Sequence, residues 1–214
     1  MKSVKDRLVE RYGTPSLGNF RSPVKEIFYI VLSSRTTEPL YKAAFKSLMQ
    51  QFPSLDSIAA ARIADLHQCI ATAGLGAKRA RQVKLIASRL LEDHGRQPAA
   101  KLRRLSAADA YSYLMSLPGV GPKSALCVMM YSLDFDVFPV DVHARRVLSR
   151  VGLIPIGSKH YRAQESLPGF VPPNCSKELH VALVVHGRRV CTPRMPKCNS
   201  CCIREFCAFA STAH

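Results

Sequence analysis

The chain has 214 residues, 47% hydrophobic and 21% charged, enough to bury a core as one large or two small domains and unlike a disordered or fibrous composition. Its longest apolar runs, such as Ala125–Tyr131, fall far short of the roughly 20 residues a membrane span needs. The opening MKSVKDRLVERYG carries charge throughout and lacks the apolar stretch of a secretory signal, so the protein reads as intracellular. Thirty-one Lys and Arg against fifteen Asp and Glu give a formal charge of +16, which points to a polyanionic partner, with nucleic acid ahead of an anionic membrane surface. The excess is spread through folded-looking segments; Lys78, Arg79, Arg81, Lys84, Arg89, Arg96, Lys101, Arg103 and Arg104 fall in one stretch.

Almost every periodic segment has helical spacing. Pro23 opens a helix with Val24, Ile27, Phe28 and Val31 on one face, and a second runs from Pro39 with Leu40, Ala44, Leu48 and Phe52. Ile63, Leu66 and Ile70 mark a third, stopped by Gly74. Ala80, Val83, Ala87, Leu90 and Leu91 form a long basic amphipathic helix that ends at Gly95. Ser106 caps Ala107–Ser116, Pro122 opens a helix to about Leu133, Asp141 caps Val142–Val151, and Ser176 caps a helix to about His186. No useful segment alternates with period two, so the expected fold is all-α.

Cys69, Cys127 and Cys175 are scattered and read as small buried hydrophobes. The other five cysteines fall within seventeen residues, four of them as Cys191-x6-Cys198-x2-Cys201-x5-Cys207 with Cys202 as an extra. Zinc sites usually pair two short knuckles across a longer loop, whereas this compact spacing suits a cubane cluster held by four thiolates; spacing alone leaves both open. The run HGRRVCTPRMPKCNSCCIREFC closely resembles the cluster loop of the endonuclease III and adenine-glycosylase families. That resemblance implies a 4Fe–4S cluster, mainly structural, that shapes a basic loop meeting the DNA backbone. Arg188, Arg189, Arg194 and Lys197 are the matching positive charges.

A second motif is Leu117-Pro118-Gly119-Val120-Gly121-Pro122-Lys123-Ser124-Ala125. The glycines permit positive φ and close backbone approach, Pro122 fits a first helical position, and free N–H groups at the turn and helix N-terminus make an anion site. A generic helix–turn–helix explains the glycines equally well. The motif also resembles the helix–hairpin–helix of the DNA glycosylase superfamily, whose hairpin amides at Gly119, Val120 and Gly121 would hold a DNA phosphate. Lys123 matches the catalytic lysine of the bifunctional members. The helix dipole at this position disfavours the charged amine, and Schiff-base chemistry needs the neutral form.

Pro139-Val140-Asp141-Val142-His143-Ala144-Arg145-Arg146-Val147 follows. Taken alone, Asp141 is an N-cap. The segment resembles the end of the superfamily signature, where the aspartate is catalytic, and Asp141 with His143 is closer to endonuclease III than to the adenine-glycosylase branch. A carboxylate there would stabilise positive charge developing at C1′ or assist the lysine's proton transfers. His143 is read as structural or phosphate-contacting, or as support for catalysis.

The resemblance runs from about Phe20 to Phe209 and implies two helical lobes. Residues 25–135 would form a six-helix domain bearing the hairpin, and 1–24 with 136–214 a helical cluster domain. It implies a monomeric base-excision glycosylase with lyase activity toward oxidised pyrimidines in duplex DNA, off the membrane, cytoplasmic and nucleoid-associated in a bacterium. Arg35 stands where relatives carry an inserting residue, commonly Gln, and Leu75 matches a second wedge. Arg35-Thr36-Thr37 also resembles thymine-mismatch glycosylases, and the C-terminal half resembles plant 5-methylcytosine glycosylases, so mismatched or modified pyrimidines are the alternative substrates. A non-catalytic DNA-binding module and an iron–sulfur redox sensor are the readings from other classes.

Overall fold

The computed structural model describes residues 3–74, 76–155 and 171–212, and among these there is no strand. Helix ends lie where local capping chemistry puts them. Helices α1 (Val4–Tyr12), α4 (Leu55–Ala60) and α8 (Ala107–Ser116) each begin behind a serine whose hydroxyl accepts the N–H three residues on, from Asp6, Ser57 and Asp109. Helices α2 (Pro23–Ser33), α3 (Glu38–Gln51), α7 (Pro98–Leu102) and α9 (Pro122–Ser132) carry proline in the first turn, where no helical amide bond is lost. Helix α5 (Ile63–Ile70) runs into a tight turn ended by Gly74, and α6 (Ala77–His94) stops at Gly95. Helix α10 (Val142–Val151) is capped by Asp141.

The next helix, α11 (Ser176–Arg189), departs from expectation. Cys175 holds the cap position, Ser176 is already helical, and the helix outlasts His186 by three residues. Its first amide and one just before it are satisfied from a distance: the Asp136 carboxylate accepts the N–H groups of Ser176 (3.3 Å) and Asn174 (2.5 Å). The Ser176 side-chain hydrogen bond first, and then those two amides, hold the Asp136 carboxyl below the usual carboxylate range. Helices α1, α4, α7 and a short α12 (Ala208–Thr212) are additions to the predicted set. No described helix is long and apolar enough to cross a membrane.

The chain divides into two compact units, Asn19–Phe135 and Met1–Gly18 with Asp136–His214. In the first, α2 packs against α3, α6, α7 and α9, and every residue from Glu26 to Leu32 is buried, not only the predicted stripe. A helix surrounded by neighbours has no wet face. Tyr41, Ala44, Phe45 and Leu48 form the buried side of α3, and Leu40, expected there, is 42% exposed. Phe20, Tyr29, Tyr41 and Phe45 stack with ring centroids between 4.7 and 5.4 Å.

Fully buried Glu26 ties down the start of this unit. Its carboxylate accepts the Phe20 N–H at 2.8 Å and the Asn19 side-chain amide at 2.5 Å. Removing it leaves a cavity and unmet donors, so Glu26→Ala should cost about 3 kcal/mol, and Glu26→Gln less, in urea melts followed by circular dichroism.

In the second unit, α11 packs against α1 and α10 over a core that includes Leu8, Val140, Val147, Leu148, Leu179, Leu183 and Ile203. Gly187 lets α10 and α11 close: a Cβ on it would lie 2.8 Å from that of His143. Arg146 then reaches across, donating to the carbonyls of Gly187 (2.7 Å) and Cys191 (2.7 Å). One turn on, Arg150 donates to Thr192 O (2.8 Å) and Pro193 O (2.9 Å), with its guanidinium over the Phe209 ring. Arg146→Met should therefore cost about 2 kcal/mol, and hydrogen exchange should quicken from Cys191 to Lys197.

Candidate active site and nucleic-acid interface

The hairpin is built by turn chemistry. Leu117 ends α8 and is buried, and its carbonyl accepts the Val120 N–H at 3.1 Å. Gly119 between them has φ +81, which an L side chain rarely adopts. Gly121 does not share that conformation: its φ is −110 and a Cβ there would meet nothing within 4 Å. Its value is open space for an approaching ligand. Val120 is 8% exposed and its N–H is committed to the turn, so it anchors the hairpin. The N–H groups of Gly119 and Gly121 take no partner within the described residues. Lys123 is the second residue of α9 and half-buried.

Arg35 occupies the exposed turn between α2 and α3 with φ +63, a conformation uncommon for any residue but glycine. Arg79 from α6 donates to Ser34 O at 3.3 Å. Burial, and then repulsion from Arg35, lowers the Arg79 pKa, so two cations share this turn. Arg79 stands in the sequence only as one cation of a basic stretch, because nothing local marks one arginine of a basic helix as the support of a distant turn. Leu75 lies outside the described residues.

Asp141 heads α10 with extended backbone, and one oxygen, Oδ1, accepts the N–H groups of both His143 (2.9 Å) and Ala144 (2.7 Å). Those bonds fix the carboxylate rigidly at a positive helix end. The Arg146 guanidinium, which only donates, lies 3.1 Å from His143 Nδ1, leaving the imidazole proton on Nε2. Burial lowers the His143 pKa, with Asp141 opposing and Arg146 reinforcing the shift, so the ring is neutral near pH 7. Lys123 and Asp141 belong to different units.

Cys191, Cys198, Cys201 and Cys207 all line one pocket, together with mostly apolar side chains such as Val147, Ile203 and Ala210. Cys202 is not among the lining residues. Arg150 Nη1 lies 3.2 Å from Cys191 Sγ, and His186 Nε2 lies 3.6 Å from Cys201 Sγ. Burial pushes the Cys201 thiol up to about 11, so it becomes a thiolate only when a cation displaces its proton. Among the described residues no three His, Cys, Asp or Glu side chains converge on a position for a single metal ion. Arg188 and Arg189 close α11, and Arg189, Arg194 and Lys197 are exposed along the loop. Of the scattered cysteines, Cys69 and Cys127 are buried as expected, while half-buried Cys175 takes a bond from Lys5 Nζ at 3.4 Å.

Residues 28–173 match the family described as HhH-GPD superfamily base excision DNA repair protein. Over 90% of its length the chain is 30% identical to endonuclease III of Sulfolobus acidocaldarius, covering 84% of that protein. It is 33% identical over 159 residues to an Arabidopsis thaliana protein named as a DNA glycosylase, spanning 54% of that relative's length. Its fold superimposes on endonuclease III from a non-covalent DNA complex with a TM-score of 0.85 and 22% identity, covering 97% of this chain and 93% of the other. The chain therefore belongs to the HhH-GPD superfamily of base excision DNA repair proteins, the DNA glycosylase family to which its hairpin and cysteine motifs point.

Proposed function

We propose that the protein is a bifunctional glycosylase and lyase that removes damaged pyrimidines, oxidised ones first, from duplex DNA as a monomer. The observation that carries this reading is Lys123 in the first turn of α9, immediately behind a hairpin whose Gly119 and Gly121 amides are uncommitted. Those amides suit a phosphate, and a flipped nucleotide held there brings its sugar to the lysine. The neutral amine attacks C1′ as the bond to the base breaks and the base departs with a proton. Ring opening gives the Schiff base. Loss of a C2′ proton then expels the 3′ phosphate, and hydrolysis of the imine returns the lysine. Asp141, its position fixed by two amides, stabilises the positive charge that develops at the sugar. His143, with its proton on Nε2, serves as a donor to the backbone.

The four thiols and their apolar cavity fit a 4Fe–4S cluster, which Cys191, Cys198, Cys201 and Cys207 would hold. When bound, it supplies a rigid staple for the loop that carries Arg194 and Lys197. These cations, with Arg188 and Arg189, suit the DNA backbone.

One observation favours mismatched or modified pyrimidines as the alternative substrate. Arg35, raised on a left-handed turn with Arg79 beneath it, offers only donors to an orphaned base, whereas an inserting Gln offers both donors and an acceptor.

Borohydride trapping on duplexes bearing an abasic site, thymine glycol or a G·T mismatch tests the reading. Wild type should give a covalent adduct, Lys123→Ala none, and Asp141→Asn a rate about 100-fold lower or less. The duplex that traps best names the substrate. Absence of any adduct alongside tight binding would leave a monofunctional glycosylase or a binding module. Purified protein should contain about four irons per chain, and Cys201→Ala should lose them with the visible absorbance.

A further inference from the structure

Gln82 of α6 touches the hairpin. Its carboxamide lies against Gly119, with Nε2, Cδ and Oε1 at 2.5, 2.7 and 2.9 Å from where a Cβ on that glycine would stand. The glycine's missing side chain is therefore the space that the carboxamide fills. Gln82 is half-buried, yet makes no hydrogen bond within the described residues. A partly desolvated amide without a partner loses free energy unless a ligand supplies one. The N–H groups of Gly119 and Gly121 are unmet beside it, and Lys78, exposed one turn before Gln82 on the same helix face, adds a positive charge. Donors without acceptors, next to a cation, select an anion.

We propose that Gln82 is a further DNA-contacting residue, whose side-chain N–H joins the Gly119 and Gly121 amides in holding one phosphate of the damaged strand. This rests on the DNA-binding reading above and extends its phosphate site from the hairpin to α6. The carboxamide has two parts to play: its flat face packs on Gly119, and its Nε2 protons reach the phosphate oxygen. Methionine at this position keeps the shape and removes the donor. Glutamate keeps the shape and sets a negative charge against the phosphate.

The test is binding of the full chain to a duplex containing an abasic-site analogue, by fluorescence anisotropy at two salt concentrations. Gln82→Met should bind roughly 5- to 10-fold more weakly than wild type. Gln82→Glu should lose more, and its loss should shrink as salt rises, because screening weakens charge repulsion. Methylphosphonates placed one at a time along the damaged strand then locate the contact. At a single position wild type and Gln82→Met should become equal, whatever the variant's melting temperature. A ratio that stays constant across the whole scan, or affinity unchanged in Gln82→Met, overturns the inference. A wild-type protein that does not bind the duplex at all overturns the functional reading beneath it.

Discussion

Helix α11 ends in carbonyls that have no helical partner, and the way these are satisfied organises the whole of its unit. Arg146 takes the carbonyl of Gly187 together with that of Cys191 in the following loop, and Arg150 takes the loop carbonyls of Thr192 and Pro193. Both arginines stand on α10, one turn apart, so a single helix clasps the far end of another and the first residues of the cysteine loop. The same helix begins behind Asp141, whose Oδ1 accepts two of its first amides. Burial of the Arg146 guanidinium is tolerated because carbonyls and an imidazole nitrogen take its protons. Gly187 is the spatial condition for all of this, since a side chain there would strike His143 and hold the two helices apart.

What was legible in the sequence was the chemistry that acts over three or four residues. Ser106 caps its helix, Pro122 opens one, and Asp141 is both cap and candidate catalyst, because each works on its own neighbours. The cysteine spacing was legible for a similar reason: the loop closes on itself, and its four thiols line one cavity while Cys202 does not. What escaped depends on partners far along the chain. Ser176 is not a cap because Asp136, forty residues earlier, supplies the acceptor. The stripe assigned to α2 was too narrow because four other helices surround it. Gln82 looked like one polar residue of a basic helix, and only the hairpin folded against it gives it meaning.

The charge excess shapes the molecule in a second way. Ion pairs such as Arg7–Glu205, Arg21–Asp134 and Lys42–Glu38 lie at the surface, where each contributes about 1 kcal/mol or less. They leave most of the cations uncompensated. Folding brings these charges together, as Arg35 brings its charge up to Arg79, and their mutual repulsion is a standing cost of the compact state. A polyanion relieves it, so the features that weaken the free protein strengthen its complexes.

The left-handed turn at Arg35 also limits which substitutions evolution or an engineer can accept there. A β-branched residue is sterically opposed at φ +63, whereas glycine, asparagine and aspartate enter that region most easily. The backbone thus filters the residues available at the tip before their chemistry comes into play. Change at the tip is steered toward unbranched side chains, while valine, isoleucine and threonine are opposed by geometry alone.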